Sequence, residues 1–236
     1  MTCRRAATRL PHGSRLPRAR DLLLAERELV AACREGRVAV VGTGELPTEK
    51  TSENHIRPQV LRTLCLGTDP TVPIHEMGVQ LVGAWIDSPL DLEAATLSRR
   101  LLLGNCRIDG DICLRHATTV SLAMPGTRCA GVVANSLRCR GDLYLRNGFS
   151  SEGEVDLLGA TVDGDLNCSG GRFENGNGNA LSADGVEIGG GVFFNDGFHA
   201  TGKVRLPGAR IGSNLECSSG RFENGDGEAL VADRAE

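Results

Sequence analysis

VQLVGAWIDSPLDLEAATL, residues 79–97 of the chain, contains two consecutive copies of one hydrophobic pattern. Counting the first residue of a copy as position 0, apolar or small side chains recur at positions 0, 2, 5 and 7, as at Val79, Leu81, Ala84 and Ile86. The next copy begins 11 residues later, at Leu90, and the pattern continues to the end of the 236-residue chain. Internal repetition therefore decides the fold.

A longer repeat lies on top of the 11-residue one. EVDLLGA at residues 154–160 reappears as KVRLPGA at residues 203–209, and RFEN at residues 172–175 reappears at residues 221–224. Both pairs are 49 residues apart, a distance that the chain covers in steps of 11, 15, 11 and 12. The pattern therefore predicts regular repeats interrupted by short insertions at defined places.

The spacing predicts an all-β fold, a parallel β-solenoid. Positions 0 and 2 of an extended segment point to one side, as do positions 5 and 7, and the Gly and Asn residues between them suit corners. Two copies give four short edges and about 22 residues per turn, which is the quadrilateral coil of a pentapeptide-repeat-like β-helix. A helix would not keep these positions on one face. The 14 copies that can be placed predict seven coils and a rod roughly 34 Å long.

Two different segments are predicted before the repeats. Residues 1–20 contain six arginines and no acidic residue, and they are predicted to be a disordered basic tail. Residues 21–78 are predicted to form a small helical cap with helices over residues 21–34 and 54–66. Asp21 would cap the start of the first helix, and Gly36 and Gly67 would end the two helices. Residues 79–236 are the solenoid repeats.

Composition fits this architecture and limits the possible functions. The chain is 40% hydrophobic but only 3% aromatic, as expected if the narrow lumen of a solenoid has little room for rings. The net charge of −4 is mild. No run of 18 apolar residues is present, so no transmembrane helix is predicted.

The nine cysteines predict buried thiols more than a redox centre. Cys106, Cys139, Cys168 and Cys217 occupy inward positions, where cysteine behaves as a small hydrophobe. Cys168 and Cys217 are two coils apart, roughly 9.6 Å, which exceeds the reach of about 7 Å for a disulfide. Cys113 occupies an outward position and is predicted to be the reactive thiol of the repeats. Reduced cysteines predict a cytoplasmic protein, or one at the cytoplasmic face of a membrane.

One segment imitates a cofactor site. VAVVGTG at residues 38–44 matches the strand and the first two glycines of a dinucleotide-binding fingerprint. Pro47 occupies the position of the third glycine, and polar residues follow where a helix is needed, so NAD and flavin binding are not predicted. The five histidines show no metal-ligand spacing. No catalytic residue, metal or cofactor is predicted.

The insertions give the best indication of a binding site. Single-residue insertions fall near Gly148 and Gly197, and longer ones are ENGNGNA (residues 174–180) and ENGDGEA (residues 223–229). All four lie in odd-numbered copies, which share one side of the rod, so they predict a binding edge. Two alternatives are that these residues merely suit turns and that the second loop holds Ca²⁺. The candidate binding residues are Phe149, Glu174, Asn175, Asn177, Phe198, Glu223, Asn224 and Asp226.

Several motifs resemble those of one bacterial family. They are ENHIR at residues 53–57, HEMGV at 75–79 with GAWI at 83–86, and the repeated LxCSxGRFEN at 166–175 and 215–224. The chain from about residue 20 to residue 236 is similar to pentapeptide-like β-solenoid proteins that are often labelled membrane-associated oxidoreductase or hypothetical protein. The motifs are structural, so the resemblance implies the fold but no catalytic residue. It also implies a longer solenoid and hydrophobic segments after residue 236, of which this chain would be the N-terminal part.

These features favour a non-catalytic scaffold or a protein or ligand interaction module. Its partner would be a protein or small ligand on the loop-bearing edge, and a membrane would be reached only through a missing C-terminal segment. No nucleic acid is expected as a partner, and enzymatic activity is left open. Two alternatives are the membrane-associated oxidoreductase of the family label and a weak DNA-mimic modulator of topoisomerases.

Overall fold

The computed structural model describes residues 15–236, and the repeats form a parallel β-solenoid, as predicted. Every strand pair is parallel and joins a strand to the equivalent strand of the next coil. In one such series Val79 is opposite Leu101, Leu101 is opposite Leu122, and the series continues to Leu215. The seven strands of this series confirm the predicted seven coils.

Four columns of strands run along the rod, one for each side of a quadrilateral coil. The first column contains β2 (Val79–Val82), β6 (Leu101–Gly104), β10 (Leu122–Ala123), β14 (Leu143–Tyr144), β18 (Leu166–Asn167), β21 (Val192–Phe193) and β24 (Leu215–Glu216). The fourth contains β5 (Thr96–Leu97), β9 (Thr118–Thr119), β13 (Arg138–Cys139), β17 (Thr161–Val162), β20 (Glu187–Ile188) and β23 (Arg210–Ile211).

The second and third columns merge near the C-terminal end of the rod. The second contains β3 (Trp85–Ile86), β7 (Arg107–Ile108), β11 (Arg128–Cys129), β15 (Ser150–Ser151) and β25 (Arg221–Glu223). The third contains β4 (Leu90–Asp91), β8 (Asp111–Cys113), β12 (Gly131–Val133), β16 (Val155–Asp156) and β26 (Leu230–Val231). Two long strands, β19 (Arg172–Ser182) and β22 (His199–Arg205), pass through the corner and join both columns into one 12-stranded sheet.

A helical cap covers the N-terminal end of the solenoid. Helix α1 spans Leu24–Glu35 and helix α2 spans Pro58–Leu66, and each ends at a glycine with left-handed backbone, Gly36 or Gly67. Between the helices, β1 (Ala39–Val40) pairs with β2 and extends the first column. Residues 38–44, which match the start of the dinucleotide fingerprint, include β1, and the chain then passes through turns before α2 begins.

The predicted starts of the cap and of both helices differ from the observed ones. Helix α1 begins at Leu24, and the residue before it, Leu23, takes the N-cap position that was predicted for Asp21. Helix α2 begins at Pro58 instead of residue 54, because the backbone of Ile56 donates a hydrogen bond to Trp85 and holds this segment against the first coil. Residues 1–14 of the predicted tail lie outside the described residues. The cap extends upstream of residue 21, since the Leu16 N–H donates to Asp69 (2.9 Å).

One buried carboxylate joins the two helices. Glu26 is fully buried in α1 and accepts hydrogen bonds from the backbone N–H of Leu23 (2.9 Å) and of Arg57 (3.0 Å). It also accepts two bonds from the Arg57 guanidinium, at 2.7 Å and 2.6 Å. Arg57 precedes α2, so this pair fixes the start of one helix against the start of the other. A buried pair of this kind leaves an uncompensated charge when one partner is removed.

Aromatic rings fill the lumen of the later coils, contrary to the expectation that the lumen excludes them. Phe149, Phe173, Phe194 and Phe198 are fully buried. Phe149 and Phe173 meet edge to face at 5.6 Å, and Phe173 and Phe198 at 5.2 Å, which is a favourable geometry for rings. The room comes from longer coils. Successive residues of the series that begins at Val79 are 22, 21, 21, 23, 26 and 23 positions apart, and the rings occupy the longer coils.

Most cysteines of residues 15–236 lie in the core, as predicted. Cys106, Cys139 and Cys168 are buried, and burial raises the pKa of Cys106 to about 12 and that of Cys139 to about 11. The prediction for Cys113 is wrong. Its side chain is only 1% exposed although it lies outside the core cluster, because it is stacked between Asp91 and Val133 of the neighbouring coils. Cys113 is therefore not an accessible thiol.

We expect Glu26→Ala to lower the free energy of unfolding by about 1–3 kcal/mol, because it removes the acceptor of the half-exposed Arg57 guanidinium and of two backbone N–H groups. The control is Glu28→Ala in the same helix, whose carboxylate pairs with Arg37 at the surface and should contribute at most about 1 kcal/mol. Urea denaturation measures both variants. Equal losses would show that the buried pair does not secure the cap.

The same carboxylate links stability to pH. Burial acts to raise the pKa of Glu26, but hydrogen bonds from Arg57 and from backbone N–H groups outweigh it and hold the pKa below the ordinary 4.5. The unfolded chain therefore binds more protons, so the contribution of Glu26 is complete above pH 4.5 and is lost as the pH falls through the lowered folded value. Urea midpoints measured across this range should fall less steeply for Glu26→Gln than for the wild type.

Removal of either of two buried hydroxyls in the lumen should change the free energy of unfolding, in opposite directions. Ser151 is fully buried and its hydroxyl has no hydrogen-bond partner, whereas the Thr127 hydroxyl donates to Leu103 O (2.7 Å) and accepts from Cys106 N–H (3.1 Å). Ser151→Ala should raise the free energy of unfolding by about 1 kcal/mol, and Thr127→Val should lower it by about 1–3 kcal/mol. Denaturant titration decides the sign, and a loss of stability in Ser151→Ala would contradict the assignment.

Candidate functional site

The irregular coils converge on one side of the rod. The single-residue insertions lie at the corner between the first and second columns, where Asn147 and Gly148 in one coil and Asp196 and Gly197 in another adopt positive φ. The two long insertions lie at the other end of the second column's strands, at the corner with the third column. We call the second column with its two corners the loop-bearing edge. The insertions thus share one side of the rod, as the sequence pattern indicated.

The two long insertions are closed by the same hydrogen bond, although their backbones differ: the first lies within β19, whereas the second forms turns and has positive φ at Gly225. Loop 1 comprises residues 175–179 and loop 2 comprises residues 224–228. In loop 1 the Asn175 side-chain amide donates to Asn179 O at 2.8 Å, and in loop 2 the Asn224 amide donates to Glu228 O, also at 2.8 Å. Each side-chain bond closes its loop across the same number of residues, so the asparagines shape the loops.

Loop 1 rests on the coil that follows it. In β22, Gly202 is buried with φ of +116°, and a Cβ atom there would lie only 2.4 Å from Asn175 O. On the other side, Asn179 donates to the hydroxyl of Ser182 (3.0 Å), which donates to Glu154 (2.5 Å) in the preceding coil. Loop 1 is thus fixed by both neighbouring coils.

The second copy differs from the first in its charges. Lys203 stands 49 residues after Glu154, and Glu228 stands 49 residues after Asn179. In the first copy, Ser182 links the Asn179 amide to the Glu154 carboxylate. In the second copy, Lys203 and Glu228 form an ion pair at 3.7 Å. The exchange of residues preserves an attraction between the loop and the coil before it.

The predicted binding residues separate into buried and exposed groups. Phe149 and Phe198 are fully buried, so their side chains support the lumen and cannot contact a ligand. The inserted residue precedes each ring, so the ring takes the inward position instead of the corner. Glu174 and Glu223 lie on either side of Thr201 in the strand register, Asn175 and Asn224 close the loops, and Asp226 is exposed at the tip of loop 2. Asn177 belongs to β19.

Two rows of charge run along the edge, and neither was predicted. Of the seven strands of the second column, four carry an outward arginine and one carries His199, and five are followed by an acid two residues after that position. The row register pairs Arg107 with Arg128, Ser150 with Arg172, and His199 with both Arg172 and Arg221. The cationic row is Arg107, Arg128, Arg172 and Arg221, with His199 stacked between the last two, and the acidic row is Asp87, Asp109, Glu152, Glu174 and Glu223.

Neighbouring members of the two rows form ion pairs. Arg107 lies 3.1 Å from Asp109, and Arg172 lies 3.8 Å from Glu174. Glu223 pairs with Arg221 and, at 3.1 Å, with His199, and these hydrogen bonds hold the pKa of Glu223 below its ordinary value. The repeated pattern basic-x-acidic is visible in the sequence and could have revealed these rows.

Three of the four loop 2 residues considered for Ca²⁺ have partners within the chain: Glu223 pairs with His199 and Arg221, and the Asn224 amide donates to the Glu228 carbonyl. Within residues 15–236, one set of metal-ligand side chains lies within 4.8 Å, namely Asp91, Glu93 and Cys113 on the third column. The guanidinium of Arg115 is 3.7 Å from Glu93, and no metal is assigned there.

Comparisons with known proteins add no relative. No family model matches the chain, and no curated protein and no solved structure shows significant similarity to it. The resemblance to pentapeptide-like solenoid proteins therefore rests on the sequence motifs and on the fold. Among residues 15–236, no helix is both long enough and apolar enough to cross a membrane.

We expect Gly202→Ala to displace loop 1, because the added methyl group would overlap the Asn175 carbonyl. The matched control is Gly208→Ala, where φ is also positive, at +65°, but nothing lies within 4 Å. Alanine is strained at both positions, by about 1–3 kcal/mol, and more at +116° than at +65°, so the contact is reported by faster amide exchange confined to loop 1 and not by the loss of stability alone. Thermal unfolding and amide hydrogen exchange of loop 1 measure it, and equal effects would refute the contact.

Proposed function

We propose that this protein is a non-catalytic scaffold that binds a partner through the loop-bearing edge. The observation that carries the proposal is that two insertions closed by the same asparagine bond lie at the same corner of the rod, two coils apart. Turn-forming residues alone do not require the same closing bond at both places. In repeat proteins, insertions on one face commonly form the binding surface.

The rigidity of the coils supports this role. Each coil pairs with both neighbours in register, so the loops are presented at a fixed separation of two coils, roughly 9.6 Å. Loops on a rigid framework are the usual location of binding residues. The partner is a protein or a small ligand with groups that complement exposed carboxylates and amides.

The two alternatives find less support. An oxidoreductase needs a cofactor site, and the glycine-rich segment after β1 is followed by turns instead of a helix. A DNA mimic needs an acidic surface that resembles a phosphate backbone, whereas the rows on the edge pair each acid with a cation. Localisation at the cytoplasmic face of a membrane stays part of the proposal only through a segment outside this chain.

Site-specific photocross-linking in cells that produce the protein tests the binding edge. A photoreactive amino acid at Asp226, on loop 2, should form a discrete adduct with a partner. The control position is Glu187 on the fourth column, which is 52% exposed in its side chain and far from both loops. Equal adducts from the two positions, or none from Asp226, would count against the proposal.

Cofactor binding tests the enzymatic alternative separately. Purified protein titrated with NAD, NADP, FAD or FMN should show neither a change in cofactor fluorescence nor a shift in melting temperature. A saturable, stoichiometric complex with any of them would overturn the scaffold proposal in favour of the oxidoreductase.

A further inference from the structure

The charge rows on the loop-bearing edge are arranged so that the edge can pair with a copy of itself. Each row lies parallel to the rod axis, and the two rows are separated by two residues, about 6.6 Å. The cationic row is nearer the first column and the acidic row is nearer the loops. Because the rows differ in sign, the orientation of a second copy decides whether the contacts attract or repel.

Only one two-fold orientation brings opposite charges together. Rotation about an axis parallel to the rod exchanges left and right, so the cationic row of one copy faces the acidic row of the other at the same height. Rotation about an axis across the rod keeps left and right, so like rows face each other and repel. A two-fold axis gives a closed, isologous pair, and charge complementarity here selects parallel rods.

We infer that the partner of the loop-bearing edge is a second copy of this chain, in a parallel two-fold dimer. The inference rests on the proposed function, since it names the partner of the same edge. In this dimer Arg172 of one copy faces Glu174 of the other, and the symmetry repeats the contact. Each ion pair within a copy becomes part of a four-membered group of alternating charges. The same arrangement applies at Arg107 with Asp109 and at Arg221 with Glu223.

The shape of the edge agrees with this orientation. The two-fold axis brings each loop of one copy next to the opposite corner of the other, at the same coil. In the coil of loop 1 that corner is Ser169, Gly170 and Gly171, and in the coil of loop 2 it is Ser218, Ser219 and Gly220. The bulged corners with the inserted residues belong to the neighbouring coils. The protruding loops therefore meet the corners with the smallest side chains.

The interface is polar and small, which predicts weak, salt-sensitive association. The seven strands of the second column span about 29 Å, and the two rows are only about 6.6 Å apart. Contact confined to this strip is far smaller than the roughly 1,200–2,000 Å² that stable specific complexes bury, so the affinity is low. Exposed charges also lose attraction as salt shortens the screening length. The dimer should thus dissociate on dilution and at high ionic strength.

Sedimentation velocity across a concentration series, at low and at high salt, tests the inference. The wild type should self-associate at low salt. Glu174→Arg places two Arg–Arg contacts across the axis and should weaken the dimer roughly tenfold or more. The exchange variant Arg172→Glu with Glu174→Arg restores opposite charges only in the parallel two-fold arrangement and should restore association. Circular dichroism and melting temperatures show that each variant is folded.

The matched control is Glu187→Arg, which makes the same charge change on the fourth column, where Glu187 pairs with Arg210 at 2.7 Å. It should leave association unchanged. A monomeric wild type, an equal effect of Glu174→Arg and Glu187→Arg, or an exchange variant that does not associate would each overturn the dimer. If the wild type is monomeric while the probe at Asp226 captures a different protein, the dimer fails and the proposed function stands. If the probe also captures nothing, both fail.

Discussion

The in-register stacking of parallel coils is the constraint on which the rest of this structure depends. A two-residue strand such as β15 cannot satisfy its backbone alone, and its N–H and C=O groups are paired by the coils before and after it. Stacking in register places equivalent side chains above one another, so each inward position must be apolar or internally satisfied in every coil. The first coil lacks a preceding neighbour, and β1 with the helical cap supplies one.

The same constraint explains where the chain tolerates irregularity. Extra residues are accommodated at corners, since an insertion there leaves the strands on both sides in register, as the pairing of β19 with β22 shows on either side of loop 1. An insertion inside a strand would move every later side chain to the opposite face. The corners also enlarge the coil, and the lumen of the enlarged coils is filled by phenylalanine rings.

The outer face follows a different rule, because solvent tolerates many side chains there. Stacking still places equivalent outward residues in rows, so a basic-x-acidic pattern in three coils contributes to two rows of opposite sign, which Ser150, Ala130 and Thr201 interrupt. Each exposed pair contributes little to stability, and the rows matter through the field that they present to another surface. The replacement of Glu154 and Asn179 by Lys203 and Glu228 in the second copy shows that attraction, not residue identity, is kept at the loop bases.

The repeat pattern was sufficient to predict the solenoid, its seven coils, its four columns and the side that carries the loops. These features depend on the alternation of inward and outward residues, which is local and repeats often enough to read. The sequence also predicted both helices of the cap and their C-terminal glycines, but not their first residues. The start of α2 depends on a hydrogen bond from Ile56 to Trp85, and no local sequence pattern indicates that contact.

Only the tertiary structure decided which candidate site residues face outward and which polar groups meet. Phe149 and Phe198 lie in the lumen because the inserted residue precedes them, and Cys113 is covered by side chains from neighbouring coils. The pairing of Glu26 with Arg57 and the contact of Gly202 with loop 1 join residues that are distant in the chain. Such contacts depend on the backbone geometry of each corner and on the side chains of the next coil. The repeat pattern contains information on neither.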